Sequence, residues 1–391
     1  MNIPENVKII MDVLYRNGYE AYAVGGCVRD TILGKEPEDW DITTNALPKE
    51  VKSLFKRTVD TGIAHGTVTV MFGRTGYEIT TYRLDGDYSD GRHPDRVTFT
   101  PSLSEDLKRR DFTINAMAFS ERDGLVDLFG GREDLTNRRI RCVGDPDERF
   151  TEDALRILRA VRFGAQLGFT IERATWDALK HHAPNLVRVS RERIFTELNK
   201  TLLSDHPEHI GFLADAGITP FVCPSFGPVR PDGAAAELPK ERHLRWAAAL
   251  AGRKPAEVRQ VLTELKSDND TKEKAAILAE YLVKKLPSDR TEARRLLSEI
   301  GPGLFDDLLL LSEKGFGCGT GEEVRTARRM KDESVDAGDC WSLKTLAVTG
   351  NDLIRAGKQP GPEIGRTLTR LLSEVIEHPE HNTKEKLLTL V

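Results

Sequence analysis

VGGCVRDTILGKEPEDWDITT, residues 24–44, sets a diglycine turn and Arg29 just ahead of two aspartates one residue apart. On an extended segment, side chains at i and i+2 share a face, so Asp39 and Asp41 project together while Trp40 and Ile42 face the other way. Two adjacent carboxylates repel unless a cation or a proton sits between them. A hard divalent ion, Mg2+ above all, resolves that repulsion and, with substrate phosphates, completes a phosphoryl-transfer site. The diglycine lets backbone approach a ligand closely. The stretch contains neither GxxxxGK[ST] nor a dinucleotide-binding GxGxxG, which sets P-loop and Rossmann readings aside.

Outward from this stretch, further segments fall into one series: HGTVTV at 65–70, YEITTYR at 77–83, DGDYSDGRHPDRVTF at 85–99 and DLKRRDFTINAMA at 106–118. DLFGGREDL at 127–135 and RFTEDALRILRAVRFGAQLGF at 149–169 complete it. In content and order the series resembles the DNA polymerase β-type nucleotidyltransferases, specifically the class II CCA-adding enzymes within the tRNA nucleotidyltransferase and poly(A) polymerase family. The resemblance implies an α+β nucleotidyltransferase head followed by an all-α neck, body and tail. The corresponding divisions are a catalytic head at 1–118, a neck with a nucleotide-selecting helix at 119–195, and a helical, tRNA-binding body and tail at 196–391. It also implies addition of C, C and A to the tRNA 3′ end from CTP and ATP, with release of pyrophosphate.

Composition agrees with a multidomain globular chain. Its 391 residues exceed one ordinary core, and 39% are hydrophobic against 30% charged. No apolar run approaches the roughly 18 residues that span a bilayer, and the first residues lack a signal-peptide layout, so a cytoplasmic enzyme is expected. Five cysteines without CxxC spacing suggest neither a zinc framework nor disulfides, and Cys27 reads as a small buried thiol. A net charge of −5 argues against general coating of nucleic acid. Basic clusters at 108–110, 138–141, 156–162 and 188–193 nonetheless concentrate beside the proposed site, where a phosphate-rich partner would lie. Oligomeric state, a homodimer included, stays open.

Periodicity predicts a helix over 5–17, a strand over 19–24, a helix over 28–33 and a carboxylate strand over 39–43. A hairpin over 68–82 turns at 73–76, and helical patterning takes over from 151, with Thr151 as its N-cap. Residues 241–391 carry helix-like patterning and no catalytic motif.

Asp39 and Asp41 are the expected catalytic metal ligands. Glu78 is either a third carboxylate or an ordinary strand-surface residue. Gly26, Arg29 and Arg110 match the family's triphosphate and nucleotide positions, with an Arg29–Asp30 surface pair as the plainer reading of Arg29. Asp111 bonds a ribose or holds Arg109 or Arg110, and Asn115 bonds backbone or substrate. Asp153 and Arg156, in the family's EDxxR, form either an intrahelical ion pair or a reader of base edges. Cytosine and adenine both present an amino donor beside a ring-nitrogen acceptor, so a carboxylate with a guanidinium selects those two bases. On one straight helix Arg162 would lie nearly opposite Asp153, leaving Arg159 and Arg162 to reach phosphate or brace the pair; the family carries both as nucleotide-binding positions.

The 85–99 segment resembles the loop of relatives able to add the terminal A, which disfavours a CC-only enzyme. One departure from the family is Leu128 after Asp127, where Pro is frequent. The rival readings are an A-adding tRNA nucleotidyltransferase, a bacterial poly(A) polymerase (which usually carries a longer basic C-terminal extension) and a non-catalytic RNA-binding protein.

Overall fold

A computed structural model describes residues 1–86, 97–229 and 233–391. Residues 87–96, which include Asp87, Asp90, Arg92 and Pro94 of the expected switching loop, lie outside the described residues. The chain forms two compact units, Met1–Arg230 with Glu264–Lys266, and Pro231–Thr263 with Ser267–Val391.

The first unit opens with helix α1 (Glu5–Arg16), whose Val7, Ile10, Met11 and Leu14 recur at helical spacing and are buried. The strands are β1 (Ala21–Val24), β2 (Ile42–Thr44), β3 (Thr58–Gly62), β4 (Thr67–Phe72), β5 (Thr75–Thr81), β6 (Arg83–Asp85), β7 (Val97–Phe99), β8 (Met117–Ser120) and β9 (Gly124–Asp127). Seven of them form one mixed sheet in the order β3-β4-β5-β2-β1-β8-β9, and β6 pairs with β7 separately. The expected hairpin is β4 and β5, antiparallel from Thr67↔Thr80 to Phe72↔Thr75. Because β9 pairs with β8, the sheet runs on to Asp127, beyond the expected head boundary at 118. Asp127 then caps helix α5 (Gly131–Thr136), accepting from the Gly131 and Arg132 amides at 2.8 and 2.9 Å.

The carboxylate strand is shorter than expected. Asp39, Trp40 and Asp41 lead into β2 and are not within it. The lead-in still alternates: Trp40 and Ile42 are buried while Asp39 and Asp41 are exposed.

Helix α2 (Gly26–Ile32) follows the glycine turn, and α3 (Pro48–Leu54) and α4 (Leu103–Lys108) flank the sheet. After α5 the unit is mainly helical, with α6 (Pro146–Glu152), α7 (Leu155–Leu167), α8 (Arg173–His182) and α9 (Arg191–Leu202), apart from a short parallel pair of strands, Arg139–Ile140 and Thr170–Ile171. The expected helix from Thr151 is corrected here. Asp145, not Thr151, caps α6 with Pro146 at its first position, and the chain breaks at Asp153 (φ −140°, ψ 104°) before α7 begins. Extended geometry at Asp153 is incompatible with a continuous helix.

The second unit is built from helices, among them Asn269–Tyr281, Arg290–Glu313, Gly321–Asp336 and Pro362–Glu377. The longest is interrupted at Gly301 (φ 76°), with Pro302 next, a residue that cannot donate to the helix ladder. Leu353, Leu371, Val375 and Leu387 form a buried cluster there, and Arg294 donates to the Ile376 carbonyl at 2.8 Å. No helix among the described residues is long and apolar enough to cross a membrane.

Candidate active site

The glycine turn is dictated by sterics. Gly25 sits at φ 80°, and a Cβ there would lie 3.0 Å from Nη1 of Arg110. A side chain is excluded twice over, by the backbone and by the guanidinium. Beyond it, Arg29 makes the anticipated pair with Asp30, at 2.8 Å from Nε and 2.9 Å from Nη2. It also donates from Nη1 to Oδ1 of Asn115 at 2.7 Å. Asn115 is therefore a cross-link between two motifs, whatever it touches in substrate.

The parallel pairing Ile42↔Ile79 brings Asp41, which leads into β2, close to Glu78 of β5, whose charge acts on it. Although its side chain keeps contact with solvent, Asp41 has its pKa pushed up to about 6. Burial of its surroundings is the largest cause, the charges of Asp39 and Glu78 add to it, and Arg110 pulls the other way. An all-oxygen donor set under mutual repulsion fits a hard divalent cation. The three carboxylates do not close into a trio with ligand atoms within 4.8 Å; among the described residues that spacing is met by His206, Glu208 and His209.

Arg110 reaches Asp106 only at 3.6 Å and the Asn115 carbonyl at 3.5 Å, and its buried Nε has no hydrogen-bond partner. A guanidinium left this underused is a ready donor for phosphate oxygens. Asp106 is fully buried; burial alone would raise its pKa, but Arg109 and Arg110 outweigh it and hold the carboxyl below its ordinary value.

The EDALR stretch does not form the intrahelical Asp153–Arg156 pair. Arg156 pairs with Glu152 rather than Asp153, and donates to the carbonyls of Arg149 at 3.0 Å and Arg109 at 3.1 Å. Asp153 instead accepts from Arg193 of α9 at 2.8 Å and from the Leu155 amide at 2.9 Å. A carboxylate offers about four acceptor sites, so two contacts leave Asp153 capacity for a base amine. Asp111 acts on Arg110 through charge, the weakest of the influences on that guanidinium. It binds Arg159, and its Oδ1 takes the Phe112 amide at 2.8 Å and Nδ2 of Asn115 at 3.2 Å.

These contacts run without a gap from Arg29 through Asn115 and Asp111 to Arg159, so the glycine motif and α7 are one hydrogen-bonded assembly. A cleft of ≈ 530 Å³ brings Gly26, Arg29 and Asp39 together with Arg162 and Lys200. Asp41, Arg110, Asp153, Arg156 and Arg159 do not line this cleft.

Two features are absent from the motif-based expectation. Phe163 is buried with the guanidinium carbons of Arg29, Arg159 and Arg162 at 5.2, 5.4 and 3.9 Å from its ring centre. Glu197 of α9 accepts from Nε of Arg162 at 2.5 Å. An aromatic directly after an RxxRxxR series was a signal for the first; nothing in the sequence pairs residues 162 and 197.

Comparison with known proteins follows the same lines. Residues 21–141 match the poly A polymerase head domain, 168–227 a probable RNA and SrmB-binding site of polymerase A, and 239–391 a putative second domain of tRNA nucleotidyltransferase. A CCA-adding enzyme of Levilactobacillus brevis is 40% identical over 405 residues, covering 100% of this chain and 98% of that one. Another, of Geobacillus kaustophilus, is 40% identical and covers 97% of this chain and 94% of its own. The Bacillus stearothermophilus CCA-adding enzyme, solved in complex with CTP, superposes with a TM-score of 0.82 at 34% identity, covering 100% of this chain and 97% of that one. Similarity of that extent runs through the helical half as well as the head, which disfavours the poly(A) polymerase reading. This chain belongs to the CCA-adding enzyme family of nucleotidyltransferases.

Proposed function

We propose that this enzyme extends tRNA 3′ ends with C, C and A from CTP and ATP, Asp39 and Asp41 holding the divalent metal of the reaction, Mg2+ in our reading. The observation that carries the metal assignment is the gathering of Asp39, Asp41 and Glu78: burial first, and then the charges of Asp39 and Glu78, push the Asp41 pKa up to about 6, a cost that a bound cation relieves. In the reaction the terminal hydroxyl oxygen of tRNA forms a bond to the α-phosphorus of the NTP. The α–β phosphoanhydride breaks, and pyrophosphate leaves with the bonding pair. Mg2+, when bound, lowers the pKa of that hydroxyl and neutralises charge on the triphosphate.

The protein's own groups do the rest. Gly26 permits close backbone approach, and Arg29 and Arg110 take phosphate oxygens, Arg110 through a guanidinium whose own contacts are long. Asp153 accepts the amino group of C or A, and Arg156 donates to the ring nitrogen after releasing one of its present partners. Arg159 and Arg162, anchored on Asp111 and Glu197, brace that surface and meet phosphate. The tRNA lies along the segment matching an RNA-binding family and the helices beyond it. The head (1–118), neck (119–195) and body and tail (196–391) keep these roles, in a cytoplasmic enzyme.

Incorporation with tRNA ending before CCA, after C and after CC, using each labelled NTP, tests the reading. A full CCA-adder takes CTP on the first two and ATP on the third. ATP use on the third alone would identify an A-adding enzyme, and long A tails a poly(A) polymerase. Near-normal incorporation by both Asp39→Ala and Asp41→Ala would reject the metal assignment.

A further inference from the structure

Away from the transfer site, the turn HPEH at 206–209 gathers two imidazoles and a carboxylate. One ligand atom from each of His206, Glu208 and His209 lies within 4.8 Å of the others. Nδ1 of His206 is 3.2 Å and Nδ1 of His209 is 3.7 Å from the same Oε1 of Glu208. A tetrahedral zinc with bonds of about 2.0–2.1 Å keeps its ligand atoms about 3.3 Å apart, so the trio needs little movement to close on one ion.

Local packing presents these atoms. The turn packs on α7 and its end, where two glycines make room for the rings. A Cβ on Gly168 would fall 2.7 Å from Nε2 of His206, and one on Gly164 would fall 3.3 Å from Cδ2 of His209. The same position on Gly164 is 3.2 Å from the Phe169 carbonyl oxygen. Nδ1 of His209 is buried and has no hydrogen-bond partner.

We infer that His206, Glu208 and His209 form a second, nitrogen-rich metal site that takes a zinc-type divalent ion. The N2O donor set suits imidazole-preferring first-row ions and is unlike the all-oxygen set at Asp39 and Asp41. With three protein ligands the fourth position is filled by water. Bound there, the ion stiffens the 206–209 turn, which packs against α7, the helix that carries Arg156, Arg159 and Arg162.

The test uses the intact protein stripped of metal with a chelator. Zn2+ is titrated against a chromophoric indicator, and Co2+ is followed by its visible bands, which report tetrahedral geometry. One tight equivalent is expected, retained in Cys318→Ser, which removes the exposed thiol, and in Asp39→Asn/Asp41→Asn. His206 and Glu208 are partly exposed, at 45% and 38%, so His206→Ala and Glu208→Gln leave the core intact. Each is expected to weaken Zn2+ binding by at least about 100-fold, beyond the roughly 10–100-fold typical of outer-shell losses. Absence of a saturable equivalent, or undiminished binding by both variants, overturns the site and leaves His206 and Glu208 as an ordinary ion pair.

Discussion

Asp111 accepts two hydrogen bonds from Arg159 on a single oxygen, at 2.8 Å from Nε and 2.6 Å from Nη2, across 48 residues of sequence. This contact ties the FTIN segment after the sheet's helical flank to α7. Burial alone would raise the Asp111 pKa, but Arg159 and Arg156 reverse it and hold the carboxyl well below the usual range.

Asp111→Asn keeps the shape and removes the charge. Breaking a buried pair costs roughly 3–5 kcal/mol, and the partial exposure of Arg159 moves the expected loss to the lower end or below. The pH dependence has a definite sign. A depressed carboxylate stabilises the fold fully above its unfolded value of about 4, and that contribution disappears as pH falls through the lower folded value. Denaturant midpoints measured between neutral pH and pH 3 are expected to show a shallower acid loss in the variant; an identical slope would count against the pairing.

For Asp41 the sign is opposite. A folded pKa of about 6, above the unfolded carboxylate value, means that its charge burdens the metal-free protein as pH rises from about 4 through 6. Asp41→Asn is therefore expected to raise stability of the metal-free protein at pH 7, by no more than about 1 kcal/mol given solvent screening of an exposed side chain. Nucleotide incorporation by that variant is expected to vanish. In the wild type, activity is expected to fall below pH 6 as a proton competes for the carboxylate, with more Mg2+ restoring it. A rate that stays flat from pH 5 to 8 would contradict this.

Gly25→Ala probes the turn itself. At φ 80° and ψ −127° an L-residue is strained by roughly 1–3 kcal/mol, and the new methyl presses on Arg110. We expect KM for both NTPs to rise, because Arg110 is displaced while the carboxylates stay in place. Unaltered KM alongside lowered Tm would assign Gly25 a purely structural part.

Asp153→Ala is expected to relax choice of C and A over U and G, at roughly 1–3 kcal/mol per lost base contact. Competition between labelled CTP and UTP measures it. The variant also strips Arg193 of its partner, so Arg193→Ala serves as the comparison, expected to leave base selectivity largely intact. Matching selectivity in Asp153→Ala and wild type would dismiss the protein as its own template.

The alternation that buries Trp40 and exposes Asp39 and Asp41, and the hairpin at 67–81, are local facts. Period, turn chemistry and backbone sterics are written in consecutive residues, so the sequence alone determined them, and the motif order determined the family. The partners of the arginines were another matter. Arg156 lies three residues from Asp153 yet binds Glu152, because the chain breaks at Asp153 and turns that carboxylate toward Arg193. Arg162 found Glu197 and Arg159 found Asp111 only once α7 lay against α9 and the FTIN segment. A buried charge takes whichever opposite charge packing places within reach, and packing joins residues far apart in the chain; that choice belonged to the tertiary structure.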